Sequence, residues 1–131
     1  MPPSFINISC QDMHLDRNEH GCSLVSTNGK LEVLVAGGPD TGKSEIFDPV
    51  SVNWRSVATM THTDFGPSMA VVEGVPTVMG GYELEATPRN QDRVQQYNAE
   101  EKKWELLEKK LEAGRSHAVT IPVPKSLFQC P

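Results

Sequence analysis

Two stretches of this chain decide its fold: LEVLVAGGPDTGKSEIFDPVSVNW at residues 31–54 and VPTVMGGYELEATPRNQDRVQQYNAEEKKW at residues 75–104. Each runs from an apolar segment into a Gly-Gly pair, passes an aromatic residue, and ends on a tryptophan. Phe47 and Trp54 are seven residues apart, as are Tyr97 and Trp104, and the two tryptophans are 50 apart. A period near 50 residues predicts stacked structural units that bury their faces against one another.

We call the Gly-Gly pairs, the aromatic residues Phe47 and Tyr97 and the two tryptophans the marks. The segments around these marks have the pattern of short antiparallel strands. Residues 31–36 form an apolar run that ends at a Gly-Gly pair, and residues 69–72 and 75–79 flank Glu73-Gly74 as the arms of a hairpin would. A polar entry segment precedes each hairpin, and a third segment of that style opens at Arg115. We therefore predict an all-β chain.

One segment favours a different structure when it is taken alone. Residues 100–113 carry Trp104, Leu107 and Leu111 at helical spacing, with good helix formers between them. The repeat places Trp104 in the slot of Trp54, which lies in a β-rich segment. We therefore predict a tight turn over residues 98–103 followed by a strand, because packing context outweighs local propensity.

The order of Gly-Gly, aromatic and tryptophan resembles the kelch repeat family. The resemblance implies kelch-type β-propeller blades, each a four-stranded antiparallel sheet, in an incomplete propeller of about two to three blades. It divides the chain into a tail strand of a preceding blade at 1–16, repeats at 17–61 and 64–111, and a last part at 112–131. That last part would hold the first strand of a further blade, over residues 115–123, and a C-terminal tail.

The resemblance has two departures and assigns roles to the marks. Phe47 stands where tyrosine is usual, and Asp64-Phe65 stands where arginine is usual. The glycines permit positive φ and close backbone approach, and the aromatic side chains bury large areas between blades. The residues expected to be structural are Gly37, Gly38, Phe47, Trp54, Gly80, Gly81, Tyr97 and Trp104.

The resemblance implies that binding residues lie in the loops that follow the Gly-Gly pairs, over 39–44 and 82–92. These loops mix an aromatic side chain with acidic and basic ones. The candidate residues for contact with a partner are Asp40, Lys43, Tyr82, Glu83, Glu85 and Arg89.

A phosphate-loop pattern competes for the first of these loops. Residues 37–44 satisfy G-x-x-x-x-G-K-[ST], in which backbone N–H groups and the lysine hold phosphates and the Ser or Thr binds magnesium. That mechanism needs a helix that begins at Lys43. Pro49 follows six residues later and residues 44–48 look extended, so nucleotide binding through Gly37–Ser44 is the alternative function and not the preferred one.

Composition narrows the function classes further. The chain has 131 residues, 37% apolar and 22% charged, with a net charge of −5, so it offers no basic footprint for nucleic acid. We predict no membrane span, because no apolar run approaches about 20 residues. The four histidines and three cysteines have no metal-ligand spacing, so we predict no metal, no cofactor and no catalytic residue. The first residues lack a secretory pattern, which predicts a cytoplasmic location, and the secreted alternative and the disulfide state of Cys10, Cys22 and Cys130 stay open.

These observations predict a non-catalytic module that binds a protein partner through its inter-strand loops, as a substrate-recognition or scaffold part. The partner's identity does not follow from the sequence. Two blades would leave strand edges exposed at both ends, which favours self-association or poor stability of the chain alone. A monomeric mass with cooperative unfolding would contradict that expectation.

Overall fold

The computed structural model describes residues 12–38, 41–62, 65–83 and 89–127, and it confirms the predicted all-β fold of blade-like sheets. The first sheet is an antiparallel meander of β1 to β4 in sequence order. The second sheet has the order β10-β9-β6-β5, and a two-stranded hairpin of β7 and β8 lies between β6 and β9. The strands are β1 (Gly21–Thr27), β2 (Lys30–Ala36), β3 (Ser44–Asp48), β4 (Asn53–Val57), β5 (Ser68–Val72), β6 (Val75–Met79), β7 (Tyr82–Glu83), β8 (Arg89–Asn90), β9 (Val94–Asn98) and β10 (Lys103–Leu106).

The turns of the two sheets repeat the same backbone chemistry. The β1–β2 turn at Asn28-Gly29 and the β5–β6 turn at Glu73-Gly74 have positive φ at both central residues (51° and 76°, 51° and 82°). That geometry matches the twist of a two-residue hairpin. In the β3–β4 turn the Asp48 carboxylate accepts the N–H of Val50, and the matching Asn98 accepts two turn N–H groups.

The marks occupy equivalent places in the two ladders. Phe47 pairs with Trp54 and Tyr97 pairs with Trp104 across neighbouring strands, with ring centroids 5.1 and 5.4 Å apart. Trp104 begins no helix, because it lies in β10 after a turn over residues 99–102, so the predicted turn and strand are confirmed. Cross-strand pairing therefore outweighs the helical spacing of this segment.

The hydrophobic core lies between the two sheets. Leu34 and Ile46 of the first sheet are 0% and 1% exposed, and they belong to one cluster with Val78, Tyr97 and Trp104 of the second. The indole N–H of Trp104 donates to Ser44 Oγ across this interface at 3.0 Å. Each sheet therefore buries one face against the other, which is how stacked repeats gain their stability.

The ends of the described chain form no sheet of their own. Residues 12–16 have no strand, and residues 1–11, the rest of the predicted tail strand, lie outside the described residues. Residues 115–123 lie without a ladder, although a first strand was predicted there. A strand is defined by its paired neighbour, and the described residues place no second strand beside this segment.

Candidate partner-binding face

The loops that follow the Gly-Gly pairs gather at one end of the two sheets. We call this end the loop face and define it by residues 17–20, 41–43, 82–83, 89–92 and 113–117. Its parts are joined by hydrogen bonds: Arg17 donates to Lys43 O at 2.9 Å, Gly81 N donates to Arg115 O at 2.9 Å, and Arg115 N donates to Gln91 O at 3.0 Å. The face is therefore assembled from segments far apart in sequence.

The Gly-Gly pairs have the close approach that their sequence predicted. Gly38 has φ of 115°, and a Cβ built on it would lie 2.8 Å from the carbonyl oxygen of Asn18. Gly80 has φ of 67°, and its Cβ would meet the carbonyl of Arg115. A side chain at either place would be strained by its backbone and by its neighbour. These glycines let the entry segments lie directly on the strand ends.

The second loop is a short hairpin with internal support. Tyr82 pairs with Asn90 and Glu83 pairs with Arg89 across β7 and β8. The Tyr82 ring meets Phe65 edge-on at 5.3 Å, and their backbones exchange hydrogen bonds of 2.8 and 3.2 Å. This base places the exposed Arg89 on a hairpin that is held to the second sheet.

Glu83 has partners within the loop. Its carboxylate accepts from Nε2 of Gln91 at 2.7 Å and lies 3.5 Å from Nη2 of Arg93. Gln91 is 3% exposed, so this bond satisfies a buried amide. Of the predicted contact residues, Glu83 therefore has a supporting contact as well as a partly exposed surface.

The structure brings some predicted residues together and leaves others apart. Tyr82, Glu83 and Arg89 form one group on the hairpin, whereas Lys43 lies on the other loop, exposed, with its N–H donated to Thr41 Oγ1 at 3.1 Å. Asp40 and Glu85 lie outside the described residues.

A row of hydrogen-bonded polar side chains on the loop face, which we call the polar row, was not singled out from the sequence. Glu19 Oε2 lies 3.0 Å from Nε2 of His117, whose Nδ1 lies 3.1 Å from Ser116 Oγ, and that hydroxyl donates to Oδ1 of Asn90 at 2.8 Å. In the sequence, His117 is one of four histidines that have no metal-ligand spacing. The sequence feature that could have identified it is the distance from the arginines of the entry segments. Arg17 and Arg115 each stand two residues before a residue of the polar row.

A buried ion pair supports the first half of the face. Arg17 Nη2 lies 2.7 Å from Glu45 Oε2, and both side chains are 1% exposed or less. The guanidinium also donates to Gly37 O at 3.0 Å, so it fixes the β2–β3 loop. The pKa of the neighbouring His20 is lowered by burial and by the Arg17 charge, which keeps that imidazole neutral at physiological pH.

The equivalent site in the second sheet is neutral. Gln95 stands where the first sheet has Glu45, is 2% exposed, and exchanges hydrogen bonds with the backbone of His62 at 3.1 and 3.3 Å. An amide satisfies a backbone N–H and C=O together, which a carboxylate cannot. The buried side chain below the first loop is therefore charged, whereas the one below the second loop is neutral.

The geometry of Lys43 and Ser44 bears on the phosphate-loop alternative. Ser44 begins strand β3 and its hydroxyl accepts the Trp104 indole N–H, so it is 1% exposed and occupied. The Gly37 N–H donates to Lys43 O at 3.3 Å. The helix N-terminus that would face a phosphate is thus replaced by a strand.

The loop face also holds a small polar cavity of about 190 Å³. Its lining includes Arg89, Asp92 and Lys110, and Lys110 Nζ lies 3.7 Å from Asp92 Oδ1. A second cavity of about 380 Å³ lies at the opposite end, between turns that include Gly74 and Glu100. The cavity at the loop face has side chains of both charges and extends the surface around Arg89, whereas the charged side chains that line the second cavity are the acids Glu100 and Glu105.

Two other kinds of site are absent from the described residues. Across 12–38, 41–62, 65–83 and 89–127 no group of three or more His, Cys, Asp or Glu side chains is placed to hold a metal ion. In the same ranges no helix has the length and apolar character to cross a membrane.

Comparison with solved structures defines the class as an all-β protein of blade-like antiparallel sheets. One match is described as "Structure of YjhT", with a TM-score of 0.73 and 16% sequence identity over 86% of this chain. The match covers 32% of that chain, so this chain spans about a third of its length. No protein-family model matches the sequence, and no curated protein matches it. At this identity the likeness concerns the fold alone.

Proposed function

We propose that this chain is a non-catalytic interaction module of the kelch type that binds a protein partner through the loop face, as a substrate-recognition or scaffold part. The observation that carries the proposal is the β7–β8 hairpin, which holds Arg89 exposed on a base fixed by Tyr82, Phe65 and Glu83. Arginine and tyrosine are enriched among the residues that dominate binding at protein interfaces. A supported hairpin also loses little conformational freedom on binding.

The surface chemistry of the loop face favours a protein as the partner. It combines an aromatic ring at Tyr82, a cation at Arg89 and the acid–histidine pair of Glu19 and His117. Protein interfaces are enriched in aromatic residues and arginine at their core and are polar at their rim, and this mixture fits that composition. The net charge of −5 does not supply the basic field that a nucleic acid would need.

A site-specific crosslinking experiment tests the proposal. A photoreactive amino acid replaces Arg89 at the loop face or, as the control, Val50, which is 80% exposed in the β3–β4 turn. Irradiation in extract of the source cells should give a discrete protein adduct from position 89 and none from position 50. Unmodified chain in excess should remove the adduct, whereas the Arg89→Glu variant in the same excess should leave it. Equal adducts from both positions would sink the proposal.

Nucleotide titration tests the alternative that uses Gly37–Ser44. Because Ser44 is buried under Trp104, we expect no saturable affinity for Mg-ATP or Mg-GTP, and no difference between the chain and its Lys43→Ala variant. Saturable binding that Lys43→Ala abolishes would support a nucleotide site instead. The cytoplasmic location and self-association expected from the sequence stay predictions.

A further inference from the structure

A third cavity, of about 320 Å³, lies between the two sheets, where the β9–β10 turn meets β4. We call it the inter-sheet cavity. It is lined by Thr27, Ile46, residues 55–58, Tyr97, Ala99 and Lys102. Both four-stranded sheets contribute to this lining, so the cavity belongs to the interface between them.

One side of the inter-sheet cavity is apolar, and we call its residues Ile46, Val57, Ala58 and Ala99 the aliphatic wall. Ile46 is 1% exposed and belongs to the hydrophobic core cluster. The other three are partly buried and pack against that cluster. A cavity of a few hundred Å³ that combines an apolar lining with a small number of polar groups is typical of a site for a small molecule.

The hydroxyl of Tyr97 is a polar group that the fold does not use. Tyr97 is 3% exposed, and within the described residues no group hydrogen-bonds its hydroxyl. Phe47 takes the matching place in the first sheet at a similar distance from its tryptophan, so the aromatic pair requires no hydroxyl. Burial raises the pKa of the Tyr97 hydroxyl, and the charge of Arg55, which lines the same cavity, opposes that shift. At neutral pH the hydroxyl is therefore protonated and can donate a hydrogen bond.

The charged side chains that line the inter-sheet cavity are the cations Arg55 and Lys102. The Arg55 guanidinium donates to both oxygens of Glu32, so these two charges compensate each other. The exposed Lys102 ammonium pairs with no carboxylate of the described residues, whereas the neighbouring Lys103 lies 3.3 Å from Glu105. Lys102 therefore gives the cavity one uncompensated positive charge.

The adjoining cavity of about 380 Å³ has the opposite charge. It shares Tyr97 and Ala99 with the inter-sheet cavity, but the charged side chains that line it are Glu100 and Glu105. An anion is repelled by these acids and attracted by Lys102. The charges therefore favour an anionic group on the Lys102 side of Tyr97.

We propose that the inter-sheet cavity binds a small amphipathic monocarboxylate, with its carboxylate at Lys102 and the Tyr97 hydroxyl and its apolar body against the aliphatic wall. The ammonium and the hydroxyl both donate to the carboxylate oxygens, and hydrogen bonds to a charged group are stronger than neutral ones. The apolar body leaves water when it covers the aliphatic wall. A single negative charge matches the single uncompensated cation. The site does not depend on the loop face or on a protein partner.

A titration with octanoate tests the proposal. Octanoate is added to the full chain below its micelle-forming concentration, and binding is followed by isothermal titration calorimetry. Lys102→Gln removes the positive charge at the cavity, whereas Lys109→Gln makes the same change at an exposed lysine outside the lining. We expect saturable binding to the chain and to Lys109→Gln, and binding at least about tenfold weaker to Lys102→Gln. Equal affinity of the two variants, or no saturable binding of octanoate to the chain, would overturn the proposal.

The hydroxyl and the two parts of the ligand are tested separately. Tyr97→Phe keeps the ring that the aromatic pair needs and should weaken octanoate binding by about threefold to tenfold. Octanamide lacks the charge and acetate lacks the apolar body, so both should bind the unmodified chain at least about tenfold more weakly than octanoate. On titration with octanoate, the amide resonances of Ala99 and Lys102 should move. Equal affinities for octanoate and octanamide, or resonance changes confined to the loop face, would contradict the assignment.

Discussion

The two sheets share strand order, turns and aromatic pairs, yet they treat the same buried position in opposite ways. Under the β2–β3 loop, Glu45 is paired with Arg17. Under the longer β6–β9 loop, Gln95 bonds to the backbone of His62, and the residue in the sequence position of Arg17 is Asp64. An ionised carboxylate is costly to bury without a cation beside it. The repeat therefore conserves a bridging side chain at this position and adjusts its charge to the entry segment.

The tryptophans show a second difference that comes from position along the stack. Trp104 is 6% exposed because the first sheet covers it, and its indole N–H is bound by Ser44. Trp54 has the same register and a similar distance to its aromatic partner, but it is only half-buried on the outer face of the first sheet. Equivalent residues thus differ in burial because, of the two four-stranded sheets that the structure describes, the first covers Trp104.

The largest expected effect concerns this pair of tryptophans. Trp104→Ala should lower the free energy of unfolding by about 4 kcal/mol, because it empties the interface between the sheets. Trp54→Ala should cost about 1–2 kcal/mol, since its ring is partly hydrated already. Urea unfolding of both variants measures the difference. Equal losses would mean that the two sheets do not support each other as described.

The next effect concerns the charge of the buried side chains below the two loops, Glu45 and Gln95. Glu45→Gln should lower the free energy of unfolding by about 3 kcal/mol, because the Arg17 guanidinium stays buried without its carboxylate. The reciprocal variant Gln95→Glu buries a carboxylic acid away from arginine, so its pKa should rise in the folded state. That variant should therefore gain stability as the pH falls, whereas the parent chain should not. Chemical unfolding at two pH values distinguishes them, and unchanged stability of Glu45→Gln would break the comparison.

The smallest effect concerns an ion pair that only the first sheet has. Arg55 donates to both oxygens of the buried Glu32 at 2.7 Å and holds the pKa of that carboxyl below its usual value. Its stabilisation is present above the unfolded pKa of glutamate and is lost as the pH falls through the lower folded pKa. Arg55→Met should cost about 1 kcal/mol at neutral pH, since the guanidinium is 45% exposed, and should move acid unfolding to higher pH.

The matched control for that ion pair lies in the second sheet. Val75 and Glu105 stand at the places of Glu32 and Arg55. Glu105 lies 3.3 Å from Nζ of the exposed Lys103, and such a surface pair contributes little, so Glu105→Gln should leave the acid-unfolding midpoint where it is. A midpoint that moves as far in Glu105→Gln as in Arg55→Met would mean that the pH dependence does not belong to the Glu32–Arg55 pair.

The fold could be predicted because its marks are local. The Gly-Gly pairs, the hairpin at Glu73-Gly74 and the seven-residue spacing before Trp104 each specify backbone geometry within a few residues. The loop face could be predicted only in part. Tyr82 and Arg89 lie in the expected loop, but the polar row, from Glu19 through His117 to Asn90, joins segments up to 98 residues apart. No local pattern encodes such a meeting.

The spacing between strands predicts an order in which the two sheets form. Seven residues separate β2 from β3, whereas 14 separate β6 from β9. Doubling a flexible connection costs about 0.6 kcal/mol of closure free energy, and the β7–β8 hairpin offsets that cost only once it has formed. We expect the first sheet to form its strand pairs first, starting at the Asn28-Gly29 turn. Tyr97 and Trp104 of the second sheet would then pack against it. The short hairpin that presents Arg89 would therefore also stabilise the longer connection between β6 and β9.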